Sequence, residues 1–300
     1  MQQDPPRGRK AGTRSLVPVR SGYFAWHRHQ LAYEVYGDDR GVPALLVHGI
    51  LLDAGINRGL ARRMAGEGYR VILLDLLGHG RSDKTTDPKE HRAEFYADQV
   101  IAALDHFGID KALVGGMSLG SITALHVAQK APERQLGLFL EMPVMEWSTP
   151  WAAFLLGPAL IAARYAEWPY AQLAKLFARI PRPRNDLLAT LLSAASLPPR
   201  NVAAILHGVL VGPLVPPLSV RRSIRVPTLV IGHGGDKLHG YRDSESLARQ
   251  IPNAQLLPAK HILEMRLRPE RVWPQISRFL REVAEAAQSP QPKPVARRRR

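Results

Sequence analysis

The segment from Ala112 to His126 constrains the fold of this chain more than any other. The apolar run Ala112-Leu113-Val114 reads as a buried strand. Gly116-Met117-Ser118-Leu119-Gly120 interrupts it, and an alanine-rich helical pattern follows at once. Strand, tight turn with a serine, then helix is the context that makes a G-x-S-x-G string a nucleophile elbow. A serine held at a strained turn exposes its hydroxyl, and its neighbours two residues away must be small because strand and helix crowd there. The helix start also aims backbone N–H groups at any negative charge that develops.

A chain of 300 residues, 45% hydrophobic and 22% charged, holds one large core with room for an inserted subdomain. It has no cysteine, which excludes disulfides, thiolate metal sites and cysteine nucleophiles. Met1 to Arg20 has no apolar segment of the secretory type. The longest apolar stretch, Trp151 to Ala163, contains Gly157-Pro158 and is too short to span a bilayer, so a cytoplasmic location is expected.

The formal charge of +15 is unevenly placed. Arg7, Arg9, Lys10, Arg14 and Arg20 against Asp4 give the first 20 residues a net +4, and Lys293 with Arg297 to Arg300 gives the tail a net +5. Both ends are rich in Pro, Gln and Arg, a composition that cannot bury enough apolar surface to fold. Residues 1–20 and 289–300 are therefore expected to be disordered basic segments. No specific nucleic-acid motif is visible, and weak contact of the basic tails with an anionic membrane surface stays open.

Between Gly22 and Val144 strands alternate with helices, which argues for an α/β fold, a mostly parallel sheet covered on both faces. Tyr23 to Gln30 and Leu31 to Tyr36 read as a hairpin. Ala44 to Val47, Arg70 to Leu74 and Gly137 to Glu141 read as strands, and Asn57 to Gly66 and Ala93 to Phe107 as helices. From about Trp147 to Val220 the chain becomes apolar, helical and proline-punctuated. There Arg164, Lys175, Arg179, Arg182, Arg184 and Arg200 outnumber Glu146, Glu167 and Asp186. Strands resume at Pro227 to Ile231 and Ala254 to Pro258, and Pro269 to Ala287 is a final amphipathic helix. The expected organisation is a core of residues 21–146 and 221–288, with 147–220 inserted as a helical cap.

Serine at its free pKa is a poor nucleophile and needs a base that a carboxylate orients. Catalytic groups of parallel sheets gather at the carboxyl ends of strands. After Ile231 comes Gly232-His-Gly-Gly-Asp236, and after Leu257 comes Pro258-Ala-Lys-His261. The order is Ser118, Asp236, His261, each at a strand end, as in the α/β-hydrolase arrangement. His233 and His239 are the nearby substitutes for the histidine, and Glu141 the fallback acid. His27 and His29 share one strand face, but no third ligand accompanies them, and no metal is expected.

On these residues the chain resembles the α/β-hydrolase superfamily, in its capped branch of esterases, lipases, lactonases and cofactor-free haloperoxidases. The resemblance covers roughly Gly22 to Ala287. It implies an α/β-hydrolase fold with Ser118 as nucleophile, His261 as general base and Asp236 as orienting acid. His48-Gly49 matches the family's His-Gly turn, which implies oxyanion N–H groups from Ile50 and Leu119. Gly78-His79-Gly80-Arg81-Ser82 resembles the family's structural Gly-x-Gly-x-Ser loop. Met117, Trp147 and Trp151 are the expected substrate-binding residues. A serine elbow, where dehalogenases and epoxide hydrolases of the superfamily carry aspartate, implies an acyl-enzyme. The expected activity is hydrolysis of an apolar or medium-chain carboxylic ester, with no cofactor, by a monomer or homodimer. Lactonase, carbon–carbon bond hydrolase, thioesterase and perhydrolase chemistry stay open, as does a non-catalytic receptor for a small ligand.

Overall fold

The structure is a computed structural model that describes residues 20–235 and 238–288. Asp236 lies outside the described residues, as do the basic termini apart from Arg20, which opens the first strand.

The chain runs β1 (Arg20–Trp26), β2 (His29–Tyr36), β3 (Val42–Val47), α1 (Arg58–Gly66), β4 (Tyr69–Leu74), α2 (Ala93–His106), β5 (Ala112–Met117), α3 (Leu119–Lys130) and β6 (Gln135–Glu141). Five helices follow before the next strand: α4 (Thr149–Tyr165), α5 (Glu167–Arg179), α6 (Asp186–Ala195), α7 (Pro199–Val211) and α8 (Leu218–Ser223). The chain closes with β7 (Thr228–His233), α9 (Tyr241–Gln250), β8 (Ala254–Ala259), α10 (Glu264–Leu267) and α11 (Trp273–Gln288).

The eight strands form one sheet in the order β1-β2-β4-β3-β5-β6-β7-β8, antiparallel at β1/β2 and β2/β4 and parallel elsewhere. The parallel strands are near-continuous apolar runs because both faces are covered. Alternate residues serve opposite faces. Leu45, Val47, Ile72 and Leu74 join a core with α2 and α3, and Ala44, Leu46, Val71 and Leu73 join a second core with α1 and α11. The β1–β2 hairpin turns earlier than its sequence suggests. Trp26 already pairs with His29, and His27 takes φ 51° in a two-residue turn. The final helix likewise starts later, at Trp273, behind a single 3₁₀ turn from Pro269 to Arg271.

Strand order reverses between β3 and β5, the point where a parallel sheet opens a crevice beyond its carboxyl ends. The insertion lies over this crevice. Its α4 packs Ala163, Leu156 and Leu160 against Val202 and Leu206 of α7. Pro158 sits inside α4 without ending it. Proline removes one helix hydrogen bond there; its ring lies on the exposed side.

Candidate active site

β5 ends at Met117, and Ser118 is the turn between it and α3, with φ 54° and ψ −108°. Backbone this strained for a residue with a Cβ costs about 1–3 kcal/mol and persists only where the surroundings hold it. Two glycines permit the turn. A Cβ on Gly116 or Gly120 would collide with the carbonyl oxygen of Val47 on the neighbouring strand. The Ser118 N–H donates to Glu141 O at 2.8 Å, and Ser121 Oγ donates to the Gly116 and Glu141 carbonyls at 2.8 Å each. The elbow is thereby fastened to the ends of β5 and β6.

Ile50 and Leu119 line the same cavity as Ser118. Leu119 is the first residue of α3, where N–H groups have no partner within the helix. The Ile50 loop is set by His48. Burial pushes its imidazole below the ordinary value. In the neutral form Nδ1–H donates to Gly49 O at 2.8 Å while Nε2 accepts Leu76 N–H at 3.1 Å. The loop after β4 is equally anchored: Asp75 accepts Ala54 N–H at 2.7 Å and Arg81 N–H at 3.1 Å, and Ser82 bridges to Asp75 O and Ala32 N–H.

The imidazole that meets Ser118 is that of His239. Ser118 Oγ and His239 Nε2 lie 2.9 Å apart in a hydrogen bond, and both residues are buried. β7 runs on to His233, which pairs with Ala259; the chain then turns at Gly234-Gly235, with Gly235 at φ 76°, before reaching His239. Gly240 N–H donates to Ser148 Oγ at 2.8 Å, which holds this loop to the start of the insertion.

His261, the expected base, is not brought to Ser118: its side chain is exposed, and no hydrogen bond joins the two among the described residues. The reason is local. The His261 carbonyl accepts both His233 Nδ1–H at 2.8 Å and Glu264 N–H at 2.9 Å, and Lys260 N–H donates to Glu264 Oε2 at 2.5 Å. The backbone is drawn inward and the ring is left outside. Asp236 falls outside the described residues, so its expected position is not tested.

Glu141, the alternative acid, is committed elsewhere. Its buried carboxylate takes both terminal nitrogens of Arg266 at 2.8 Å, with His233 Nε2 3.5 Å away. Burial alone would raise its pKa, but the Arg266 charge and the His233 and Arg266 contacts outweigh burial and hold it at about 2. The same Arg266 reaches Asn57 Oδ1 and Met117 Sδ, each at 3.3 Å, and Asn57 Nδ2 donates to Val47 O at 3.0 Å. One guanidinium thus ties together the ends of β3, β5 and β6 beneath the elbow. His233 is raised from its ordinary value: burial lowers it, and the neighbouring Glu141 more than offsets that. His29 Nε2 lies 3.3 Å from Glu90, and no group of metal-ligating side chains occurs among the described residues.

The expected substrate-binding side chains lie elsewhere. Met117 turns beneath the elbow toward Arg266. Trp147 is 54% exposed with the Arg242 guanidinium 3.6 Å over its ring, and Trp151 is 47% exposed against the edge of Phe154. The cavity at Ser118 is instead lined by Ile122, Val144, Ala152, Leu156, Val209, Leu210, Leu214 and Leu238. Ile122 stands one helical turn beyond Ser118, a spacing that the sequence displays. The others come from the insertion and the loops, which no local pattern orients.

A model of the alpha/beta hydrolase fold matches residues 43–262, in keeping with a sheet in this order and a serine at a strained elbow after β5. The chain belongs to the alpha/beta hydrolase fold family. It is 31% identical over 253 residues to the dihydrolipoyllysine-residue acetyltransferase component of the acetoin cleaving system of Pseudomonas putida, over 82% of this chain and 65% of that protein. The chain thus spans just under two thirds of that relative. It is 32% identical over 238 residues to 2-hydroxymuconate semialdehyde hydrolase of the same organism, over 74% of this chain and 80% of that one. Among solved hydrolase structures, a thermophilic esterase from Thermogutta terrifontis superposes with a TM-score of 0.69 at 27% identity, over 88% of this chain and 99% of that one.

Proposed function

We propose that this alpha/beta hydrolase is a serine ester hydrolase for apolar acyl groups, with Ser118 as nucleophile and His239 as its base. The observation that carries the reading is the 2.9 Å hydrogen bond between Ser118 Oγ and His239 Nε2. His239 takes the Ser118 proton as Oγ attacks the ester carbonyl, and the oxyanion is met by the N–H groups of Ile50 and Leu119. Collapse breaks the acyl–oxygen bond, and His239 returns the proton to the departing alcohol. Water, deprotonated by His239, then attacks the acyl-enzyme and releases the acid and Ser118. Asp236, three residues before His239, is assigned the orienting role on its position after β7.

An apolar acyl group is favoured because none of the described residues lining the cavity is charged. An acyl chain bearing a carboxylate, as in a muconate derivative, would need a buried cation there. The cavity beside Ser118 is small, about 30 Å³.

The test is turnover of p-nitrophenyl esters with fluorophosphonate labelling. Ser118→Ala and His239→Ala are each expected to lower kcat by roughly 10³-fold or more, while His261→Ala retains most of the wild-type rate. Labelling at another residue, or equal turnover in Ser118→Ala, refutes the reading. Loss of activity in His261→Ala with retention in His239→Ala moves the base to His261.

A further inference from the structure

Helix α4 is apolar on two faces. Ala152, Leu156, Ala159 and Ala163 face inward, toward the cavity and α7. At helical spacing on the other side stand Trp151, Phe154, Leu155, Ile161 and Tyr165, all exposed, Phe154 by 69%. The next helix continues this surface with Trp168, 74% exposed, and Leu176. So many large apolar groups on adjoining helices exceed the scattered ones a monomer normally shows. Polar content on the same surface is mostly of one sign. On α4 and α5 themselves Arg164, Lys175 and Arg179 are exposed, against Glu167, which Arg200 pairs. Asp186, the next acid, is taken by Arg58 and Arg62 at the base of the insertion.

We propose that the outward face of α4 and α5 docks on an anionic lipid bilayer, lying in its interface. Apolar side chains including Trp and Phe enter the headgroup boundary while the interspersed cations meet anionic headgroups. No helix among the described residues is long and apolar enough to cross a membrane, so the contact is superficial. Charge favours lipid over a second copy of this chain, since a two-fold contact through this face would set its cations against themselves. The inference stands apart from the ester hydrolase reading, because it uses none of the residues at Ser118.

The experiment is co-sedimentation of the full chain with vesicles of phosphatidylcholine alone and of phosphatidylcholine with phosphatidylglycerol. The wild type is expected to bind the anionic vesicles and to lose binding as salt is raised. Phe154→Asp combined with Trp168→Asp is expected to weaken that binding by roughly tenfold or more, with unchanged thermal unfolding and unchanged turnover of a soluble ester. Deletion of residues 289–300 separates the basic tail from this face. The proposal is overturned if the wild type binds no vesicle or binds neutral vesicles equally well, or if the double variant binds as the wild type does. It is also overturned if light scattering shows a dimer that the double substitution dissociates while the wild type leaves vesicles untouched.

Discussion

Ser148, the residue before α4, accepts the backbone N–H of Gly240 on its hydroxyl at 2.8 Å, next door to the histidine that meets Ser118. Asp243 reinforces the tie by accepting the N–H groups of Met145 and Ser148 at 2.9 Å and of Trp147 at 3.1 Å. The hinge of the insertion and the loop of the proposed base are therefore one hydrogen-bonded unit. Removing one neutral hydrogen bond costs about 0.5–1.5 kcal/mol. Ser148→Ala is expected to lower kcat by roughly threefold to tenfold through looser placement of His239, with KM for a short ester little changed. A change in KM alone would assign Ser148 to substrate binding instead.

Asp243→Ala is expected to cost stability as well. It leaves three backbone N–H groups beside a buried position without their acceptor, and each unsatisfied group costs about 1–3 kcal/mol. A loss of about 3 kcal/mol or more is expected in denaturant unfolding. A loss below about 1 kcal/mol would show that water replaces the carboxylate.

The buried pair beneath the elbow gives a double-mutant cycle. Arg266→Met strands the Glu141 carboxylate in the interior, and breaking one partner of a buried pair typically costs about 3–5 kcal/mol. Replacing both, as Glu141→Gln with Arg266→Met, is expected to recover much of that loss. If the double variant is as unstable as the sum of the singles, the pair is not coupled as the geometry indicates.

Glu141 also fixes an acid limb. Its folded value, about 2, lies below the ordinary 4.5. The stability it contributes is complete above the unfolded value and is lost as pH falls from about 4.5 toward 2. His233 has the opposite sign: its raised value stabilises below the unfolded range near 6.5 and fades as pH rises through the folded value. In a melting-temperature profile, Glu141→Gln is expected to flatten the slope between about pH 4.5 and 2. An unaltered slope there would exclude Glu141 as its source.

Much of this architecture is legible in one dimension because its causes are local. Runs such as Val71-Ile72-Leu73-Leu74 announce strands covered on both faces, and Gly116, Ser118 and Gly120 announce a turn only small neighbours allow. The histidine at the serine has no such signature. His239 and His261 both follow strand ends, and what separates them is the backbone of His261, held inward by His233 and Glu264. The β7 pairing that carries His233 into the sheet is a long-range fact. The lining was hidden for a related reason: both faces of α4 are apolar, so periodicity cannot say whether Trp151 or Leu156 points at the cavity. Only its packing on α7 decides.

Leu156 is therefore the residue through which pocket depth can be tested. It stands on the inner face of α4 and lines the cavity with Ser118. Truncation to alanine removes branched bulk where the free space is about 30 Å³. One methylene in an apolar pocket discriminates by about 1–3 kcal/mol, or roughly 10–200-fold. Leu156→Ala is expected to raise the ratio of kcat/KM for a longer p-nitrophenyl ester over a shorter one by about tenfold. Val209→Phe, adding bulk to the lining of the same cavity, is expected to shift the ratio the other way. Because a general loss of rate would depress both esters together, the ratio reads pocket shape apart from catalysis. A ratio unmoved by both substitutions would mean that the acyl chain lies outside this cavity.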